Sequence, residues 1–208
     1  MTDWSATVRE LGPGGYAAYA ASRAAALIPG LAFHRYLLIA VPRSGMPSLP
    51  RGYSIVELDE AALTAHAADL DLPLGAIRHR MDQGMTCVAA MRADRLVGVN
   101  FVTAARFDED EIEVTFLPPA GAAWDTGLYV HPAYRGSRAF AALWAGTATW
   151  LSANGLEWSM SRIAHYNLAS ISSHRRMGAV AVGQFNALRF GRHQWLFGTD
   201  AVVRLVLP

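Results

Sequence analysis

The sequence predicts a mixed α+β fold with a mostly antiparallel central sheet flanked by helices. Helical and strand-like stretches alternate along the 208 residues. Several neighbouring strand-like stretches are joined by short turns, which favours antiparallel pairing. About half of the residues are apolar (52%) and 17% are charged, so the chain can bury a core. This length fits one domain, or one domain with an elaborated terminus.

Composition and charge argue against several partners and settings. A formal net charge of +1 supplies no single-sign field for nucleic acid or an anionic membrane. The most apolar early region, residues 16–41, is interrupted by Arg23, Pro29 and Arg35, so we expect no membrane span. Cys87 is the single cysteine, which excludes a disulfide framework and favours a buried, inert thiol. The first residues lack the features of a secretory signal, so we expect a cytoplasmic protein.

The first fifty residues are predicted to form an extension. The run "GYAAYAASRAAALIPG" predicts an alanine-rich helix between Gly14-Gly15 and Pro29-Gly30. The strand "FHRYLLIAV" follows, and then "PRSGMPSLPRG", whose composition is typical of a connection. We therefore place an N-terminal helix and strand extension at residues 1–50. It is expected to pack on the core formed by residues 51–208 or on a second copy, which leaves a homodimer open.

The middle of the chain predicts a strand, two helices and an antiparallel meander. "YSIVEL" alternates as a strand, and Asp59 is placed to cap the helix "EAALTAHAADL". A second helix covers "LGAIRHRMDQ". "TCVAAMRADRLVGVNFVTAARF" predicts two strands around an Ala93-Asp94 turn, and "IEVTFL" predicts a further strand after the acidic loop "DEDE".

The last part of the chain alternates strands and helices. After the strand that ends in "LYV", one helix places five side chains on a single face: Phe140, Leu143, Trp144, Thr147 and Leu151. "LEWSMSRIAHY" predicts the next strand. "NLASISSHRRMG" predicts a short helix with Asn167 as N-cap and Gly178 as its stop, and "AVAVGQFNALRFGRHQWLF" predicts two closing strands.

The turn within "LYVHPAYRGSRAFAALW" is a candidate anion site. A strand that stops at Pro132 and passes into a helix through a turn containing Gly136 leaves backbone N–H groups without partners at the helix start. Such N–H groups favour the binding of an anion.

These residues resemble the GNAT superfamily of acyl-coenzyme A-dependent N-acyltransferases, over roughly residues 53–197. In that family a strand ending in V-x-P leads into R/Q-x-x-G-x-G/A, whose amides hold the coenzyme A pyrophosphate at the start of a helix. Four residues stand in register: Val130, Pro132, Arg135 and Gly136. Arg138 and Phe140 depart from the pattern, at the positions of the second glycine and the small residue.

The departure does not remove the expected binding site. A residue in helical backbone conformation needs no glycine, and an arginine in a first helical turn can donate charge-assisted hydrogen bonds to phosphate. We expect a modified cradle that still binds acetyl-coenzyme A or another acyl-coenzyme A. The alternative is that Arg135 and Arg138 are solvated helix-start residues. The resemblance implies this binding set around the turn: Leu128, Tyr129, Val130, Arg135, Gly136, Ser137, Arg138, Ala139 and Phe140.

A second segment and a hairpin add to the resemblance. In "NLASISSHRRMG", Asn167, Ser170 and His174 match a family segment in which asparagine starts a short helix. The wider run looks locally like the phosphinothricin acetyltransferase branch, and it implies that Asn167 and Ser170 belong to the coenzyme-binding set. "RADRLVGVNF" is similar to the hairpin that the family places beside the coenzyme-binding strand.

The resemblance also implies chemical roles. An N-acyltransferase must deprotonate an amine, stabilise the developing oxyanion and protonate the departing thiolate. Asp125 stands where the phosphinothricin branch has a carboxylate thought to act as base, and a backbone N–H within residues 128–130 could polarise the thioester carbonyl. His174 is the candidate acid. An ordinary strand-start or turn aspartate and a surface histidine are the alternatives.

The acceptor is the least specified part of the prediction. The histidines show no clustered metal-ligand spacing, so we infer no metal site. Five carboxylates from Asp108 to Glu113 are compatible with a cationic amine, but charge runs usually form a solvated surface. We expect acyl transfer, by direct attack, to a primary amine of a small or amino-acid-like acceptor. The alternative is a non-catalytic acyl-coenzyme A-binding module in which Arg138 has degraded the cradle.

Overall fold

The computed structural model describes residues 4–70 and 72–198. Within them the α-helices are α1 (Trp4–Ala25), α2 (Glu60–Leu70), α3 (Leu74–Met81), α4 (Ala139–Ala153) and α5 (Leu168–Arg176). The strands are β1 (Leu31–Pro42), β2 (Ser54–Leu58), β3 (Thr86–Arg92), β4 (Arg95–Thr103), β5 (Phe107–Asp108), β6 (Thr115–Phe116), β7 (Ala122–Val130), β8 (Trp158–Ala164), β9 (Val180–Phe190) and β10 (His193–Gly198). The predicted α+β fold with a mostly antiparallel sheet and flanking helices is confirmed.

Within the described residues the chain divides into two compact units, one formed by residues 4–40 and 162–198 and one formed by Val41–Ser161. In the first unit β9 pairs antiparallel with both β1 and β10. The strand of the predicted extension, β1, is thus paired along its length with a strand from the other end of the chain. The domain boundary at residue 50 stays a prediction.

In the second unit five strands lie in the order β8-β7-β4-β3-β2. The pairs β7-β4, β4-β3 and β3-β2 are antiparallel. The pair β7-β8 is parallel and short, and ends at Trp124 opposite Met160. From Asp125 to Val130 the strand β7 therefore continues past the last residue that pairs with β8.

The helix α4 packs on β3 and β4, and its sequence pattern predicts the face that is buried. On the predicted face Phe140 is half-buried. The other four side chains are buried: Leu143, Trp144, Thr147 and Leu151. A Cβ added to Gly146 would stand 2.7 Å from Cγ1 of Val88, so a glycine is needed for the helix to lie this near the sheet.

Two local turn predictions are confirmed. Asp59 caps α2, because its Oδ1 accepts the Ala62 N–H at 2.8 Å. Ala93 and Asp94, with φ of 46° and 63°, form the turn between β3 and β4, and this left-handed conformation matches the twist of a tight hairpin.

Two predicted element bounds differ from the structure. "IEVTFL" forms only the two-residue strand β6, paired with β5, because the Val114 N–H bonds to the Ile112 carbonyl in a turn and prolines follow at 118 and 119. The first helix starts at Trp4, well before the predicted Gly14-Gly15. It is kinked at Gly12 (φ 67°, ψ 170°), and the predicted alanine-rich helix is the part after the kink.

No helix among residues 4–70 and 72–198 has both the length and the apolar composition needed to cross a bilayer.

Candidate active site

A β-bulge interrupts β7 in its second half. The pairing of β7 with β4 is regular up to Thr126 and resumes at Tyr129, while β4 advances by one residue fewer. Gly127 and Leu128 therefore share a single position of the partner strand. Gly127 has φ +64°, a conformation that glycine adopts without steric cost. At the bulge, backbone groups near Leu128 leave the regular hydrogen-bond pattern between β7 and β4. The backbone N–H that is predicted to polarise the thioester carbonyl lies within residues 128–130, at this same place.

The turn between β7 and α4 is organised around the Ser137 hydroxyl. Ser137 Oγ donates to the Tyr134 carbonyl at 2.6 Å and accepts the Ala139 N–H at 3.2 Å. The Tyr53 hydroxyl donates to the same oxygen at 3.2 Å. The Arg92 guanidinium lies over both tyrosine rings, 5.6 Å from Tyr53 and 6.0 Å from Tyr134. Sequence reasoning missed Tyr53 and Arg92, because neither belongs to the turn itself.

The start of α4 fits an anionic group such as a pyrophosphate. Its N-cap, Arg138, makes no side-chain capping bond, and the first turn contains no acidic residue. Arg138 has φ −84°, so the position does not require the glycine of the family pattern. Gly136 has φ +79°, and a Cβ there would meet no atom within 4 Å, so the turn is open on that side. Arg135 and Arg138 are both exposed beside it.

Asp125 is a buried carboxyl on β7, just before the bulge, with 3% of the residue exposed. Its Oδ1 accepts a hydrogen bond from Ser159 Oγ at 2.5 Å. Burial raises the pKa of Asp125 to about 7, while the hydroxyls of Ser159 and Ser161 act in the opposite direction. Ser161 Oγ has no hydrogen-bond partner among the described residues, so Ser159 is the direct contact. A carboxyl that titrates near neutral pH can accept and return a proton.

The residues predicted on α5 lie in the other unit. Asn167 caps α5 as predicted, since its side chain accepts the Ser170 N–H at 3.2 Å. His174 is 6% exposed, so the surface-histidine alternative is wrong. Its Nδ1 donates to the Ser170 carbonyl at 2.7 Å. Burial lowers the pKa of His174 below its usual range, so the ring is neutral near pH 7 and the imidazolium that an acid would use is scarce.

A cavity of about 250 Å³ lies between α3 and the bulge of β7. It is lined by Leu72, Pro73, Ala76, Ile77, Arg80, Gly127, Leu128 and Tyr129. Arg80 and Gly127 were not among the predicted site residues. The signal for Gly127 was present, because an isolated glycine inside a strand pattern often marks a bulge.

The acidic loop is not a free anionic patch. Asp108 accepts from the Arg106 guanidinium at 2.7 and 2.8 Å, and Asp110 accepts from Arg80 at 3.0 Å. The hydrogen bond from Thr115, followed by that from Arg106, lowers the pKa of Asp108. Within the described ranges no group of three or more His, Cys, Asp or Glu side chains is arranged to hold a metal ion.

No protein-family model and no curated protein matches the chain. Solved structures do match it. A GNAT-family protein from Novosphingobium aromaticivorans is 18% identical, with 79% of this chain and 69% of that chain covered and a TM-score of 0.55. A functionally unknown conserved protein from Staphylococcus epidermidis is 10% identical, with 78% and 63% covered and a TM-score of 0.58.

A third solved structure is a tandem GNAT protein from the clavulanic acid biosynthesis pathway. It is 16% identical, with 90% of this chain and 59% of that chain covered and a TM-score of 0.50. The chain thus spans between 59% and 69% of the length of these three proteins. At such identities the likeness is one of fold, and the chain has the fold of the GNAT proteins among them.

Proposed function

We propose that the chain is an acyl-coenzyme A-dependent N-acyltransferase of the GNAT superfamily. It transfers an acyl group, acetyl in the simplest case, to the primary amine of a small or amino-acid-like acceptor. The observation that carries the proposal is the bulge of β7 directly before an open turn and the start of α4, whose N-cap residue Arg138 makes no side-chain capping bond. The shared fold supports acyl transfer as the class of reaction. The likeness to the phosphinothricin branch stays a prediction.

The chain's own groups supply the binding. The positive end of α4, the open backbone at Gly136 and the guanidiniums of Arg135 and Arg138 hold the pyrophosphate. Bound acyl-coenzyme A supplies an acyl carbon that exchanges its bond to sulfur for a bond to nitrogen, with release of the thiol. The assignment of Asn167 and Ser170 to the coenzyme-binding set stays a prediction.

The proton chemistry centres on Asp125. An amine is protonated near pH 7 and attacks only after losing a proton, which the Asp125 carboxylate accepts directly or through a water. A pKa of about 7 suits this transfer near neutral pH. A backbone N–H at the bulge, near Leu128, donates to the carbonyl oxygen as negative charge develops there. His174 stays the predicted proton donor for the thiolate, although its neutral ring weighs against the role.

A non-catalytic acyl-coenzyme A-binding module is the second candidate. The burial of Asp125 favours it, because a residue that is 3% exposed offers little surface to an acceptor. Such a module would keep the cradle at α4 and use the buried carboxyl for structure alone.

Two measurements on the full chain separate these functions. Calorimetric titration with coenzyme A tests the cradle, and thiol release from acetyl-coenzyme A across a panel of primary amines tests the chemistry. Binding together with amine-dependent thiol release supports the transferase. Binding without release on any amine supports the module, and a chain that does not bind coenzyme A would exclude both.

A further inference from the structure

The guanidinium of Arg80 rests directly on the backbone of the bulge. A Cβ added to Gly127 would stand 2.3 Å from Nη1 and 2.7 Å from Cζ of Arg80. The same guanidinium lies over the Phe101 ring, with Cζ 5.0 Å from its centroid. The charge can occupy this position only because residue 127 has no side chain, so one glycine both forms the bulge and admits the arginine.

This cation is largely buried and only partly satisfied. The Arg80 side chain is 13% exposed, and its guanidinium is a positively charged group with five N–H donors. Nη2 donates to Asp110 Oδ2 at 3.0 Å. Nε has no hydrogen-bond partner among the described residues. A buried cation with an unpaired donor favours the binding of an anion that can accept hydrogen bonds from the guanidinium.

The space next to Arg80 suits a small anionic molecule. Arg80 and Gly127 both line the cavity of about 250 Å³, and Arg80 is the formal charge in a lining that is otherwise mostly apolar. Asp110 already lies 3.0 Å from the guanidinium, so a singly charged carboxylate suffers less repulsion than a doubly charged phosphate. The planar carboxylate also matches the fork of the guanidinium.

We propose that this cavity is a carboxylate subsite and that Arg80 is its recognition residue, with Asp110 as an internal competitor. The proposal rests on the acyltransferase function for the origin of the carboxylate. It comes from an amino acid acceptor, or from the far end of a dicarboxylic acyl group carried by coenzyme A. The apolar lining holds the carbon chain of either ligand.

Three variants test the proposal. Arg80→Met removes the charge and keeps an apolar side chain over Phe101. Arg78→Met is the matched control, since Arg78 is on the same helix with its side chain 66% exposed. Asp110→Asn removes the competitor and keeps the volume. Melting temperatures show whether each variant is folded.

Two kinetic arms distinguish the sources of the carboxylate. One compares kcat/KM for an amino acid and for its amide with acetyl-coenzyme A. The other compares succinyl- with butyryl-coenzyme A on one amine. Each arm gives the ratio of kcat/KM for the ligand that carries a carboxylate to kcat/KM for its neutral counterpart. In the arm whose carboxylate occupies the subsite, Arg80→Met lowers this ratio by about tenfold or more. Asp110→Asn raises that ratio and Arg78→Met leaves it unchanged. A ratio near one in both arms, or one that Arg80→Met does not change, overturns the proposal.

A binding arm keeps the outcome independent of turnover. Butyrate and butyramide have the same shape and differ in charge, and their affinities can be compared by saturation-transfer NMR. Tighter binding of butyrate by the wild type and by Arg78→Met, lost in Arg80→Met, supports the subsite even if no acyl transfer is found. Equal binding of the two probes by the wild type overturns it while leaving coenzyme A binding, and so the proposed function, untouched.

Discussion

Ser159 Oγ donates a hydrogen bond to Asp125 Oδ1 across 2.5 Å, from β8 to the neighbouring strand β7. This hydroxyl is the direct partner of a carboxyl whose residue is only 3% exposed. Burial outweighs the hydrogen bond and holds the pKa of Asp125 at about 7. The charge state of this one group therefore changes across the neutral pH range, with consequences for both rate and stability.

Asp125→Asn tests the proposed base. The substitution keeps nearly the same volume but cannot accept the proton, so turnover should fall by about a hundredfold or more, the usual scale of general-base removal. Affinity for coenzyme A should stay almost intact. In the wild type the rate should fall as pH drops through about 7, where Asp125 becomes protonated, and the variant should lose that part of the profile. Steady-state kinetics across pH and calorimetry measure both effects.

Ser159→Ala is the companion variant. Loss of a hydrogen bond that favours the charged form should move the acidic limb of the rate profile to higher pH. Full turnover in Asp125→Asn on an accepted amine would rule out the base assignment. An unshifted limb in Ser159→Ala would show that another group sets it.

The same pKa predicts a pH dependence of stability. Between the ordinary value of 3.8 and the folded value of about 7, the folded state binds more protons than the unfolded state. The free energy of unfolding should therefore fall as pH rises through this window, by about 4 kcal/mol at roughly 1.4 kcal/mol per pKa unit. Asp125→Asn should lack this contribution, so its stability relative to the wild type should increase from pH 4 to pH 8.

Urea unfolding of the two proteins at several pH values measures this difference, and other titrating groups cancel in the comparison. Parallel stability curves for wild type and variant would contradict the raised pKa.

The fold was predictable where local chemistry decides it. The face of α4, the Asp59 cap and the Ala93-Asp94 turn all follow from residue spacing and backbone preference within a few positions. The strand at "IEVTFL" was overestimated because a turn at Ile112 ends the alternation that its apolar residues suggest. Element type was thus easier to predict than element length.

The site was predictable only in part. The turn at residues 135–140 carries its own signal in glycine, arginine and the start of a helix. Arg80 carries none, because its position on Gly127 exists only once α3 packs against β7. Burial likewise sets the states of Asp125 and His174, and burial depends on elements far away in the sequence. Charge states were therefore the least predictable property.

Arg135→Glu tests the phosphate cradle. An exposed cation beside the open turn is replaced by an anion, which repels a pyrophosphate, so coenzyme A affinity should fall by about tenfold or more. Arg51→Glu is the control, since it makes the same charge change at an exposed residue between β1 and β2. Calorimetry at fixed ionic strength measures both affinities. Equal affinities in the two variants would move the pyrophosphate away from this turn.

Gly127→Ala tests whether the bulge and Arg80 depend on one another. The new Cβ would stand 2.3 Å from Nη1 of Arg80, and alanine would have to adopt a left-handed backbone conformation at φ +64°. Gly136→Ala is the matched control, because φ is +79° there but no atom lies within 4 Å. The control should be destabilised by about 1–2 kcal/mol, the cost of a left-handed backbone conformation for alanine. Gly127→Ala should be destabilised by this amount and by the cost of displacing a buried cation.

The double variant Gly127→Ala with Arg80→Ala isolates the cost of displacing the guanidinium. Once the guanidinium is gone, alanine at 127 should again cost about 1–2 kcal/mol relative to Arg80→Ala alone, because only the backbone conformation remains strained. Urea unfolding of the four proteins gives the coupling energy between the two positions. If Gly127→Ala and Gly136→Ala lose the same stability, Arg80 moves aside freely and its position on the bulge is not fixed by packing. A large coupling energy, with a matching loss of acyl transfer in Gly127→Ala, would instead tie the shape of the bulge to the position of the charge beside it.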